Sequence, residues 1–159
     1  MATQTQERLE RGRSGLRRSR DVERRQDTPI DWAHLSRFTL NDRALEQEVL
    51  GLFADEAPRY LARMQAAADR KDWIEAAHTL KGSARAVGAW AIAECAQAAE
   101  ALQLSAERQL AGGNAATGDV RAAHGARQAL ERLSEAIHRT LTYIEEMRST
   151  GGAAAQPSA

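Results

Sequence analysis

From Ile30 to Met147 the large apolar side chains of this chain recur in steps of three, four, seven and eight residues, with no strand-like alternation. Steps of three and four put side chains on one face of an α-helix, whereas a half-buried strand needs a period of two. The pattern therefore admits helices and argues against a sheet. Composition agrees: Ala, Leu, Glu, Arg and Gln, all good helix formers, dominate the 159 residues, and aromatics make up only 4%. A chain of this length can bury one core of real size.

Punctuating residues divide the pattern into five segments. Pro29 opens a short one with Ile30, Trp32, Leu35 and Phe38 as its apolar positions. Asn41 and Asp42 are a start signal for a long second segment through Leu45, Val49, Leu52, Phe53, Tyr60, Leu61 and Met64. Pro58 lies inside it and predicts a kink or break near residues 54–57. Asp72 and Glu75 read as a capping box opening a third segment over about 72–87, which Gly88 stops. A fourth, about 90–110, carries Ile92, Cys95, Ala99, Leu102 and Ala106 and ends at Gly112-Gly113-Asn114. The last runs over about 118–148, through Val120, Leu130, Leu133, Ile137, Leu141, Ile144 and Met147. Short connections between long helices make them antiparallel neighbours. The expected architecture is an all-α, up-and-down four-helix bundle over 29–148 with a short extra N-terminal helix. Residues 1–28 and 149–159 have too few large apolar side chains to offset the entropy of ordering and are read as disordered.

Charge is balanced, 22 Lys+Arg against 22 Asp+Glu, which gives no global reason to expect nucleic acid as a partner. Residues 1–28 are uneven, with eight Arg against five Asp+Glu. A solvated tail is the plain reading of that segment. Its rival is an electrostatic tether to nucleic acid or an acidic partner. The single cysteine, Cys95, cannot form an intramolecular disulfide and suits a reducing compartment. No apolar run approaches the ~20 residues of a transmembrane helix, and the Arg-rich start lacks the apolar stretch of a secretory signal. A cytoplasmic monomer is expected. His34, His124 and His138 have no metal-ligand spacing among themselves or with Cys95, so neither a metal nor a cofactor is expected. A Gly-rich nucleotide loop is also missing, which argues against an autonomous kinase.

The chemistry sits in the third segment. Ile74, Ala77, Leu80, Ala84 and Val87 form its core stripe, while Glu75, His78, Lys81, Gly82 and Arg85 step along a different face that should meet solvent. Neutral imidazole is a competent nucleophile near pH 7, because its unperturbed pKa is about 6.5. Its nitrogen can accept a phosphoryl group as a transferable phosphoramidate. Lys81, one turn on, supplies positive charge to balance phosphoryl oxygens, and Arg85 can do so from a turn further. Gly82 is costly within a helix, by roughly 0.5–1 kcal/mol against Ala. At i+4 from His78 it removes a side chain where a phosphoryl group and a partner surface would approach.

Here the sequence resembles the histidine-phosphotransfer (HPt) family of bacterial phosphorelays. The resemblance rests on Ala77-His78-Thr79-Leu80-Lys81-Gly82-Ser83-Ala84 with Gly88-Ala89 following, on the acidic stretch Leu52-Phe53-Ala54-Asp55-Glu56-Ala57-Pro58, and on Ala96-Gln97-Ala98-Ala99-Glu100. It covers about residues 30–145. It implies a helical bundle, phosphorylation of His78, electrostatic help from Lys81, room left by Gly82, and receiver domains with a phosphorylatable aspartate as partners. Some members place a Gln near the histidine from the following helix. The nearest position here holds Glu100, a departure whose carboxylate is expected to repel phosphate. A rival from another class is an HPt-like module that docks partners without carrying phosphate; the intact His78, Lys81 and Gly82 argue against it.

Overall fold

The computed structural model describes residues 28–111 and 115–153, with side-chain surroundings given for 28–105 and 123–150. Five helices follow one another: α1 (Trp32–Phe38), α2 (Arg43–Ala66), α3 (Arg70–Ala86), α4 (Trp90–Ala111) and α5 (Ala115–Ala153). Helix α2 packs on α3, α3 on α4, α4 on α5, and α5 back on α2, which closes an up-and-down four-helix ring. The short α1 is tied to the ring at one end. Its Trp32 indole donates to the Tyr143 hydroxyl of α5 at 2.8 Å, and the Asp31 amide donates to the Gly88 carbonyl at 3.0 Å.

Small and large side chains alternate in the core. Ala76, Ala77, Ala84, Ala93, Ala96 and Ala99 let α3 and α4 approach closely, and Leu35, Phe53, Met64, Leu80, Ile92, Leu133 and Ile137 fill the space between layers. The Trp73 indole is buried as well, and its N–H donates to the Ala99 carbonyl at 3.1 Å, which fastens α3 to α4 one turn before His78. Trp90 is half-buried, donates to Asp31 Oδ2 at 3.1 Å and packs edge-on against His34.

Several boundaries differ from the sequence expectation. Helix α3 begins at Arg70, capped by Asp69, whose carboxylate accepts from the Asp72 amide at 2.9 Å. Asp72 is thus a first-turn residue, and the Asp69 cap supersedes the expected one at Asp72. Helix α2 starts as expected, with Asp42 accepting from the amides of Ala44 and Leu45, but it runs unbroken through Pro58. Pro58 is exposed, so the missing N–H costs one bond on the solvent side and interrupts no packing. Helix α5 continues past residue 148 to Ala153, with the Ser149 and Thr150 hydroxyls donating back to the carbonyls of Glu145 and Glu146. Residues 1–27 and 154–159, on which most of the expected disorder falls, lie outside the described residues. Not every apolar position on the helical stripes is buried: Phe38, Leu45, Leu52, Leu102 and Met147 are all exposed. Among the described residues no helix is long and apolar enough to cross a membrane.

Candidate functional site

Helix α3 buries Trp73, Ala76, Ala77, Leu80 and Ala84 and turns His78 outward. The polypeptide then reverses at Gly88, whose φ of +77° is the left-handed conformation a C-terminal turn requires. A Cβ there would lie 2.9 Å from the Asp31 carbonyl oxygen, so both the conformation and the space call for glycine. This tight turn lays α4 antiparallel on α3 and brings Glu100 opposite His78.

The outcome is a three-residue network across the α3–α4 seam. Glu100 Oε1 lies 2.9 Å from His78 Nδ1, and Glu100 Oε2 accepts from Lys81 Nζ at 2.5 Å. The two ends differ in exposure. The His78 side chain is 69% exposed, whereas those of Lys81 and Glu100 retain only 15% and 14%. The hydrogen bond from Lys81 holds the Glu100 carboxyl below its ordinary range; burial opposes this, and the His78 contact reinforces it. An ionised carboxylate only accepts, so the imidazole proton resides on Nδ1. Nε2 is left with the free lone pair on an exposed ring.

The remaining sequence candidates fall around this network. A Cβ built on Gly82 would meet nothing within 4 Å, so nothing in the fold itself requires a glycine there. Arg85 lies one turn beyond Lys81 and donates to Gln97 Oε1 at 2.6 Å, which leaves its guanidinium at the edge of the seam. Ser83 makes a local bond to the Leu80 carbonyl at 3.1 Å. The sequence reading expects the Glu100 carboxylate to repel phosphate and doubts any orienting role for it; the structure places Lys81 on one of its oxygens and the His78 ring on the other. Among the described residues no group of three His, Cys, Asp or Glu side chains is arranged to hold a metal ion.

A scan against protein-family models matches the Hpt domain over residues 48–140. The chain belongs to the Hpt domain family. That span takes in α2, α3 and α4 almost whole and α5 past its middle, and it contains His78, Lys81, Gly82, Arg85 and Glu100. Hpt domains are helical bundles that act as phosphocarriers in phosphorelays and interact with receiver domains. Comparison with curated proteins and with solved structures gave no match.

Proposed function

We infer that the chain is a histidine phosphocarrier that passes a phosphoryl group between receiver-domain aspartates through Nε2 of His78. The observation that carries this reading is the bond between His78 Nδ1 and Glu100, which leaves the opposite nitrogen nucleophilic and exposed. In the forward step the Nε2 lone pair attacks the phosphorus of an aspartyl phosphate. The N–P bond forms as the P–O bond to the carboxylate breaks, and the aspartate leaves as its anion. The imidazole gains positive charge as it bonds, and the Glu100 carboxylate on Nδ1–H stabilises that charge. The proton never leaves Nδ1, so the phosphorylated ring remains a good leaving group and the reverse transfer uses the same atoms. Lys81, with Arg85 at the edge of the seam, places positive charge beside the phosphoryl oxygens.

In this reading the chain itself holds no cofactor, and the receiver's aspartate, metal and backbone supply most of the catalysis. The aspartyl phosphate brings the energy of its own bond, so the role is that of a carrier and not of an autonomous kinase, in a cytoplasmic relay. The test is to incubate the protein with phosphorylated receiver domains and follow label on wild type and on His78→Gln. Acid-labile, base-stable label on the wild type alone is expected, with unchanged helix content in the variant. A folded wild-type protein that takes no label from any donor would favour the docking-module reading.

A further inference from the structure

Across the helical ring from the α3–α4 seam, α1, α2 and α5 meet around a buried carboxyl group. Glu46 of α2 is only 7% exposed and makes no ion pair among the described residues. Its hydrogen bonds reach one oxygen, Oε1, from the Ser36 hydroxyl at 2.7 Å and from that of Thr39 at 3.3 Å. The Thr39 hydroxyl has a single proton, and the Leu35 carbonyl competes for it at 3.2 Å. A carboxylate offers about four acceptor sites, so this one is under-supplied, and a buried carboxylate is costly unless it is paired.

The space beside it is shaped. Glu46 lines two adjoining cavities of about 210 and 460 Å³, which also share Trp32, Arg43 and Met147. The smaller is walled on its inner side by Leu50 of α2 and Ile144 of α5, both buried. At about 30 Å³ for a water-sized group, it holds about seven such groups. Positive charge stands at the mouth. Arg43, one turn before Glu46, and Arg148 of α5 both line the smaller cavity. Each is exposed, and neither is ion-paired among the described residues.

These features select a ligand by its chemistry. A plain organic cation would suit Glu46 and Trp32 but meet two guanidinium groups. A plain anion would suit the arginines but meet the Glu46 carboxylate. An uncharged apolar molecule would fill the cavity and leave Glu46 Oε2 unpaired. An ammonium and a carboxylate on one carbon, with an aliphatic body, answer all three demands. Residues one helical turn apart, as Arg43 and Glu46 are, have Cβ atoms about 5–6 Å apart, a span that suits two charges on one carbon.

We propose that this cavity binds a small zwitterion of the α-amino-acid class, with its ammonium on Glu46, its carboxylate at Arg43 and Arg148, and an aliphatic side chain against Leu50, Ile144 and Met147. The site lies on α1, α2 and α5, whereas His78 projects from α3, so occupancy does not compete with the imidazole.

The test uses the full chain and L-leucine as the probe. The Trp32 indole N–H signal, assigned by its loss in Trp32→Phe, is followed by proton–nitrogen NMR as leucine is added. A saturable shift is expected, half complete at about 1 mM or below. N-acetyl-L-leucine, which lacks the ammonium, and L-leucinamide, which lacks the carboxylate, should each bind about tenfold or more weakly. Glu46→Gln keeps an acceptor for Ser36 but loses the charge, and should weaken leucine by a similar factor. Arg148→Ala, at an exposed position, should weaken leucine while leaving leucinamide unaffected; should Glu46→Gln fail to fold, this variant and the two analogues decide. His78→Gln should bind as wild type does. No saturable shift at millimolar leucine would overturn the proposal, as would equal affinity for leucine and both analogues; either result leaves the phosphocarrier reading untouched.

Discussion

At the scale of single residues, the site turns on what Glu100 does to the ring it touches. A carboxylate on Nδ1–H orients the imidazole, selects the tautomer and offsets the charge that develops on phosphorylation. Replacing Glu100 by Ala removes all three effects and should slow transfer from a receiver about tenfold or more, the equivalent of one charge-assisted hydrogen bond. Glu100→Gln retains an acceptor for Nδ1–H and should fall between, which separates orientation from charge. The lowered Glu100 pKa also has a stability consequence. A depressed folded-state value means that the pairing stabilises the fold fully above the unfolded pKa, about 4.3. It is lost as pH falls through the folded value. Urea unfolding of wild type and Glu100→Gln should therefore differ most near neutrality and converge only as pH falls below the lowered folded value; a constant gap from neutrality into strong acid would contradict the ion pair. Gly82 makes an opposite kind of prediction. Its Cβ position is empty, so Gly82→Ala should raise stability by about 0.5–1 kcal/mol through helix propensity alone. Gly82→Gln should fold equally well yet take up phosphate slowly from a receiver. Normal uptake by that variant would remove the steric role assigned to the glycine.

At the scale of elements, α3, the Gly88 turn and α4 act as one unit. The turn sets which α4 residues face His78: Glu100 stands eleven residues after Ala89, and His78 eleven before it. The sequence pointed to Glu100 only through the family resemblance; the tight turn at Gly88 is the physical reason that this position faces the histidine. Its second partner was not legible, because only the coordinates bring Lys81 Nζ to 2.5 Å from the other oxygen of the same carboxylate. The core stripe of α3 was legible from helical spacing: of Ile74, Ala77, Leu80, Ala84 and Val87, the last four are buried and Ile74 is partly buried. The start of α3 was misplaced because two aspartates three residues apart, Asp69 and Asp72, both suit a cap, and sequence alone does not rank them. Exposure of Leu45 and Leu52 escaped the periodicity argument, since a helix-face pattern does not say how wide the covered face is. The turn itself is open to test. Gly88→Ala must place a Cβ against the Asp31 carbonyl in a left-handed conformation, and should cost about 2 kcal/mol or more in chemical denaturation. A loss below about half a kcal/mol would mean that the α3–α4 connection is far more compliant than its contacts suggest.

At the scale of the whole molecule, the four-helix ring and the α1 cap form a scaffold whose working parts lie on one face. His78, Lys81 and Glu100 project from two helices locked together by alanine packing and by the Trp73 bond to Ala99. A carrier needs little more than this: an imidazole held still, a charge to steady it, and bare backbone for a partner to approach. On the phosphocarrier proposal, donor and acceptor use the same nitrogen in turn and so compete for one face. The claim on which all of this depends is that phosphate resides on Nε2 of His78, with the proton retained on Nδ1 against Glu100. The most direct test is two-dimensional proton–nitrogen NMR of the imidazole rings in uniformly nitrogen-15-labelled protein, recorded before and after phosphorylation by a receiver. The account predicts that one ring alone, lost in His78→Gln, gains phosphorus coupling at Nε2 while its Nδ1 stays protonated. Phosphorus on Nδ1, or on any other residue, would contradict it.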